Sequence, residues 1–167
     1  MKFIYGCQRI GRHPETGRLE HQPPIIVAEG DEVLTYDACD ILGPSTMLTN
    51  RERQPEEVAA CKDHVHSIWL QTRSVVVPSE EPHPDSRRKY LIYVCGIVAH
   101  SDPGTYEQGA VVFEDRSGQR CAYSIVIAGP SRVVYDEHNP VNGYCPCGKN
   151  HPHRMWIETD ASIEVMR

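Results

Sequence analysis

Apolar positions along the chain fall into many short runs, most of them separated by Gly, Pro, Asp or Ser. From Lys2 to Ile10 the residues Phe3, Ile4, Tyr5, Cys7 and Ile10 favour extended backbone, and Gly11 ends the stretch. Pro14-Glu15-Thr16-Gly17 has the composition of a tight turn, so Arg9–His13 and Arg18–His21 are predicted to form a polar hairpin end that Pro23-Pro24 interrupts. Ile25–Ala28 and Val33–Leu42 read as a second hairpin about Glu29-Gly30-Asp31-Glu32, closed by Gly43-Pro44-Ser45.

A single helix is predicted over about 55–72. Pro55 suits a first helical position, and Glu56 and Glu57 put negative charge at the positive end of the helix dipole. Val58, Cys61, Val65, Ile68 and Trp69 then share one arc of a wheel at ~100° per residue, a face suited to packing on a sheet.

Downstream the pattern returns to strands. Val75-Val76-Val77 is a short one, and Pro78–Ser86 is an exposed loop. Tyr90–His100 is apolar on both faces, as a covered central strand is. Ala110–Phe113 and Cys121–Ala128 flank Glu114–Arg120 as a hairpin, and Arg132–Tyr135, Met155–Ile157 and Ser162–Met166 are three further short strands. No fixed-period repeat is apparent. The expected fold is therefore α+β, a mostly antiparallel sheet with one amphipathic helix packed on it, in a single domain over residues 1–167.

Composition narrows the function classes. Hydrophobic residues make up 40% and charged residues 24% of the 167, which is globular usage. The formal net charge of −6 argues against a surface devoted to phosphate, and Arg87-Arg88-Lys89 reads as a solvated strand entrance. Nucleic acid is thus a disfavoured partner. The longest apolar run, Tyr90–Ala99, is about half the ~20 residues of a membrane-spanning helix, and the first residues lack a signal-peptide pattern. Seven cysteines, five of them scattered singly, are reduced-compartment usage, and a cytoplasmic protein is expected.

One constellation carries chemistry. Cys145-Pro146-Cys147 and His151-Pro152-His153 supply two thiols and two imidazoles, the donor types of a tetrahedral zinc shell, and Gly148 can take the positive φ that folds one pair toward the other. Lys149 favours the thiolates. The spacing is tight, because side chains at i and i+2 of an extended strand splay from one centre. The opening Cys145-Pro146-Cys147-Gly148 resembles the start of the SEC-C type zinc motif, over those four residues. That family continues with a later Cys-Cys or Cys-His pair, where this chain has His151-Pro152-His153. His138 is an alternative ligand for His151 or His153.

Four such ligands close the shell and imply a structural ion; three leave a position for an activated water. The leading expectation is accordingly a zinc-stabilised protein-binding domain of adaptor or inhibitor type, using strand edges and the loops Gly11–Pro24 and Pro78–Ser86. The competing one is a zinc-dependent hydrolase with Asp136 or Glu137 as base. On the predicted helix His64 and His66 point ~160° apart and cannot share an ion, whereas Cys61 and His64 are neighbours that read as a packed thiol beside a surface imidazole. Asp37, Cys39 and Asp40 at a strand end read as turn and cap chemistry. A Gly-rich phosphate loop, a Ser elbow and a His-Glu-Xaa-Xaa-His helix are all missing from the sequence.

Overall fold

The computed structural model describes residues 1–6, 25–49, 68–79, 88–94, 111–115, 118–135 and 155–166. Within them the first seven strands are β1 (Lys2–Gly6), β2 (Ile25–Glu29), β3 (Glu32–Tyr36), β4 (Ala38–Ile41), β5 (Ser45–Thr49), β6 (Ile68–Thr72) and β7 (Val76–Pro78). The next seven are β8 (Tyr90–Val94), β9 (Val111–Asp115), β10 (Gly118–Ala122), β11 (Ile125–Ile127), β12 (Ser131–Tyr135), β13 (Met155–Thr159) and β14 (Ile163–Val165).

They form two seven-stranded antiparallel sheets, ordered β14-β11-β5-β6-β1-β2-β3 and β10-β9-β8-β13-β12-β4-β7. Residues from both sheets share one apolar cluster, with Ile4, Ile25, Met47, Leu70 and Ile125 from the first meeting Cys39, Ile92, Phe113, Val133 and Ile157 from the second. The sheets therefore pack face to face, as in a β-sandwich.

The described residues contain no helix, which overturns the α+β expectation. Residues 68–72 of the expected helix are strand β6, paired on one side with β5 and on the other with β1. The error has a physical origin. Trp69 and Leu70 are buried on opposite faces of the sheet, Trp69 with Tyr5 and Ile26 and Leu70 in the shared core. A short apolar run buried on both faces satisfies a helical arc as readily as a strand. The remainder of the expected helix, 55–67, and the polar hairpin at 9–21 lie outside the described residues.

The hairpin turns are where the residue chemistry places them. Gly30 takes φ of 58° between β2 and β3, and Gly118 takes φ of 132° at the start of β10, both favouring a residue without Cβ. The Val33–Leu42 and Cys121–Ala128 segments, read as single strands, each break in two. Asp37 separates β3 from β4, and Tyr123-Ser124 separates β10 from β11. In both cases the chain changes sheet at the break.

That shared feature exposes a duplication which no short-period search reveals. Written in reverse, the second sheet reads β7-β4-β12-β13-β8-β9-β10, which is the first with every strand replaced by the one seven places away. Residues 25–49 correspond to 111–135 without a gap, at an offset of 86 that superimposes Gly43-Pro44-Ser45 on Gly129-Pro130-Ser131. β6 corresponds to β13 at an offset of 87, with Trp69 on Trp156 and Thr72 on Thr159. β1 corresponds to β8 at 88, with Ile4-Tyr5 on Ile92-Tyr93.

The halves are interlocked: β4 and β7 of the first complete the sheet of the second, and β11 and β14 of the second complete the sheet of the first. Register agrees as well, Met47 facing Ile125 in one sheet as its counterpart Val133 faces Cys39 in the other. Several bonds recur. Leu42 N–H donates to the Val75 carbonyl and Ala128 N–H to that of Ser162, both at 2.9 Å.

Candidate functional site

The long connections of the two halves start and finish at one end of the sandwich. In the first sheet, Gly6 at the end of β1 faces Ile25, and Thr49 at the end of β5 faces Ile68. The β1·β6 register puts these ends together. In the second sheet, Val94 faces Val111 and Tyr135 faces Met155, again at one end by the β8·β13 register. A Cβ on Gly6 would lie 2.6 Å from the Met155 sulfur, so the end of β1 and the start of β13 adjoin across the sandwich. The segments 7–24, 50–67, 95–110 and 136–154 are all bracketed by strand ends of this pole.

Metal-binding residue types are concentrated in those four segments of the sequence. Every histidine except His83, and every cysteine except Cys39 and Cys121, belongs to one of those four segments. The expected ligands Cys145, Cys147, His151 and His153 are among them, as are His138, Asp136, Glu137, Cys61, His64 and His66. All lie outside the described residues. Among the described residues no group of three or more His, Cys, Asp and Glu side chains could hold a metal.

The strands themselves carry structural chemistry. Trp156 donates its indole N–H to the buried Glu158 carboxylate at 3.0 Å. Glu158 faces Arg132 in the β12·β13 register, and Arg132 faces Asp40 in that of β4·β12. The Arg132 Nε donates to Asp40 Oδ1 at 3.1 Å, so a carboxylate, a guanidinium and a second carboxylate run across three strands. They share the outer face of the second sheet with Tyr93, Val112, Val134 and Trp156. With Arg132 largely buried, this pair braces the strands rather than meeting a ligand. In the first sheet the counterparts of these three polar residues are Gln71, Thr46 and Val126, and the Trp69 to Gln71 contact recurs, at 3.4 Å.

Asp37, Cys39 and Asp40 resolve into separate roles. Asp37 ends β3 and its carbonyl accepts from the Tyr135 N–H at 3.1 Å, while Asp40 pairs with Arg132. Cys39 is fully buried, and its thiol is pushed up to about 12 by burial first and by the Asp40 carboxylate second, which leaves it un-ionised and unreactive near neutral pH. Lys89 engages Asp160 through its N–H and the Tyr90 ring through its ammonium, as a strand entrance does.

Sequence reasoning read β3 as part of a Val33–Leu42 strand without placing it at a sheet edge, and it named no strand at β5. Glu29, Asp31, Glu32, Val33 and Leu34 are all exposed, so this edge of the first sheet presents two neighbouring apolar side chains within an acidic turn. The Val33-Leu34 pair beside Gly30-Asp31 was the available signal. No helix of the described residues is long and apolar enough to cross a membrane. No protein-family model matches the chain, and neither does any curated protein or solved structure.

Proposed function

We propose that this chain is a zinc-stabilised, protein-binding module without catalysis of its own, working in the cytoplasm, where its thiols stay reduced. The observation that carries the binding reading is the β3 edge. A terminal strand leaves alternate N–H and C=O groups unpaired, and Val33 and Leu34 put exposed apolar surface on either side of them. Asp31 and Glu32 border that surface with negative charge, while the Glu29 carboxylate pairs with the N-terminal ammonium at 3.7 Å and Lys2 at 3.8 Å. The partner is accordingly an extended segment of another protein that alternates apolar and basic residues and adds as a further antiparallel strand.

The zinc reading is supported by the concentration of thiols and imidazoles in four connections whose bracketing strands end at one pole. An ion there would tie down long connections that have few apolar residues of their own to bury. The test of binding uses a synthetic peptide of alternating Val and Lys, followed by amide chemical shifts. Shifts centred on Glu32–Tyr36, abolished in a Val33→Glu/Leu34→Glu variant that keeps its metal, support the proposal. Shifts elsewhere, or binding unaffected by the variant, would refute it.

The hydrolase alternative rests on Asp136 and Glu137, which directly follow β12 at the same pole. Cobalt substitution separates the two readings. A four-coordinate spectrum with only protein ligands favours the binding module, and an exchangeable bound water favours the hydrolase.

A further inference from the structure

We infer that the chain exchanges halves with a second copy of itself, giving a dimer of two sandwiches, each assembled from the first half of one chain and the second half of the other. This goes beyond the β3 edge reading and does not rest on it.

Strand order supplies the first observation. Each sheet joins the halves along a single strand pair, β5·β11 in the first and β4·β12 in the second. Either half gives five strands to one sheet and two to the other, so neither completes a sheet by itself. The shared apolar cluster likewise takes Ile4, Met47 and Leu70 from the first half and Ile92, Phe113 and Ile157 from the second. All of these contacts form equally well whether the complementary half belongs to the same chain or to another copy. That is the condition under which identical elements are exchanged between protomers.

The connection between the halves supplies the second. β7 and β8 lie in one sheet with β4, β12 and β13 between them, and the four successive antiparallel pairings make β7 and β8 parallel. The registers place Pro78 level with Cys39, Val133, Ile157 and Ile92. Four strand spacings of ~4.8 Å set β7 and β8 about 19 Å apart. Ser79, whose N–H donates to the Ala38 carbonyl, is one residue past that level, and Tyr90 is two residues short of it. At ~3.3 Å per residue this adds about 10 Å along the strands, so the chain has to cover about 22 Å to keep both halves in one sandwich.

Eleven residue steps lead from Ser79 to Tyr90, and Pro82 and Pro84 among them favour extended over folded-back chain. The parallel crossover is required in the single-chain form and is not needed when the second half comes from another copy. This one tether, rather than any contact within the sandwich, decides whether the halves that meet share a chain.

A full chain with a seven-residue protease recognition sequence in place of residues 80–86 keeps the tether length and provides the test. Refolded from urea over a range of protein concentrations and followed by size-exclusion chromatography with light scattering, it is expected to give a dimer whose fraction rises with concentration. Cutting the tether should then halve the mass of that dimer, because the two sandwiches are held together only through their tethers. Deleting residues 80–86 leaves four steps that reach at most about 14 Å, so the shortened chain is expected as a dimer at every concentration. A monomer at every concentration with the tether at full length would overturn the exchange, and so would a folded monomer of the shortened chain. A dimer that keeps its mass after cutting would overturn it as well, and loss of that dimer in Val33→Glu/Leu34→Glu would assign the association to the β3 edge instead.

Discussion

Thr72 and Thr159 stand 87 positions apart and make the same two bonds. Each Oγ1 donates to a proline carbonyl, that of Pro44 or Pro130, at 2.7 Å. Each also accepts a backbone N–H two residues on, from Ser74 at 2.9 Å or Ala161 at 3.0 Å. The hydroxyl is a clasp between the end of β6 or β13 and the Gly-Pro-Ser turn, and both threonines are buried. Removing it leaves the Ser74 or Ala161 amide without that partner, while the Pro44 carbonyl keeps the Ser74 hydroxyl at 3.0 Å. Thr72→Val and Thr159→Val are each expected to cost about 1–2 kcal/mol in urea unfolding, Thr72→Val being the milder.

Ser45 and Ser131, the next residues in those turns, are expected to behave oppositely. Their hydroxyls are buried and have no hydrogen-bond partner among the described residues. Ser45→Ala and Ser131→Ala should be neutral or stabilising by up to about 1 kcal/mol. A loss comparable to that of the threonine variants would show that the hydroxyls have partners.

The meeting of the two sheets at the pole where the long connections begin and end is tested at Gly6. A side chain there runs into the Met155 sulfur, near the end of a flexible side chain, so Gly6→Val should destabilise by about 1 kcal/mol, the low end for overpacking. Met155→Ala in the same chain should recover part of the loss. Additive effects in the double-variant cycle would place the two residues apart.

Cys39 gives a pH dependence of known sign. Its folded thiol titrates at about 12, against an ordinary value of 9.0. Below pH 9 both states hold the proton and the contribution is complete; between pH 9 and about 12 the unfolded chain ionises first and stability falls. The slope is about 1.4 kcal/mol per pH unit. Cys39→Val, which puts a β-branched residue where the other half has Ile125, should remove that part of the alkaline loss. Equal slopes for wild type and variant would contradict the assignment.

Much of the strand content was legible. β1, β2, β7, β8, β12, β13 and β14 follow from apolar runs bounded by Gly, Pro and Asp, and the turns at Gly30 and Gly118 from their composition. Three features were hidden. β6 carries Trp69 and Leu70 on opposite buried faces, a pattern that period alone assigns equally to a helix. β3 and β4 are contiguous in sequence but lie in different sheets, because Asp37 turns the chain between layers, and β10 and β11 do the same at Tyr123-Ser124. The duplication escaped because so few identities survive, Gly43-Pro44-Ser45 being the longest run. The metal candidates were visible one segment at a time, and only strand order shows that the strands bracketing those segments end at one pole.

Interlocking also governs folding. Residues 1–87 alone lack β11 and β14, so β5 becomes an exposed edge while β4 and β7 have no sheet to join. The isolated half is expected to associate or stay unfolded, as size-exclusion chromatography with circular dichroism would reveal. A stable monomer with full β-sheet signal would contradict the exchange.

Cross-strand backbone NOEs in the full chain test the interlocked duplication most directly. Thr46 of β5 is expected to contact Val126 of β11, and Asp40 of β4 to contact Arg132 of β12. If β4 instead paired with β5, and β11 with β12, each half would close on itself. The equivalence of the two halves would then lose its structural basis.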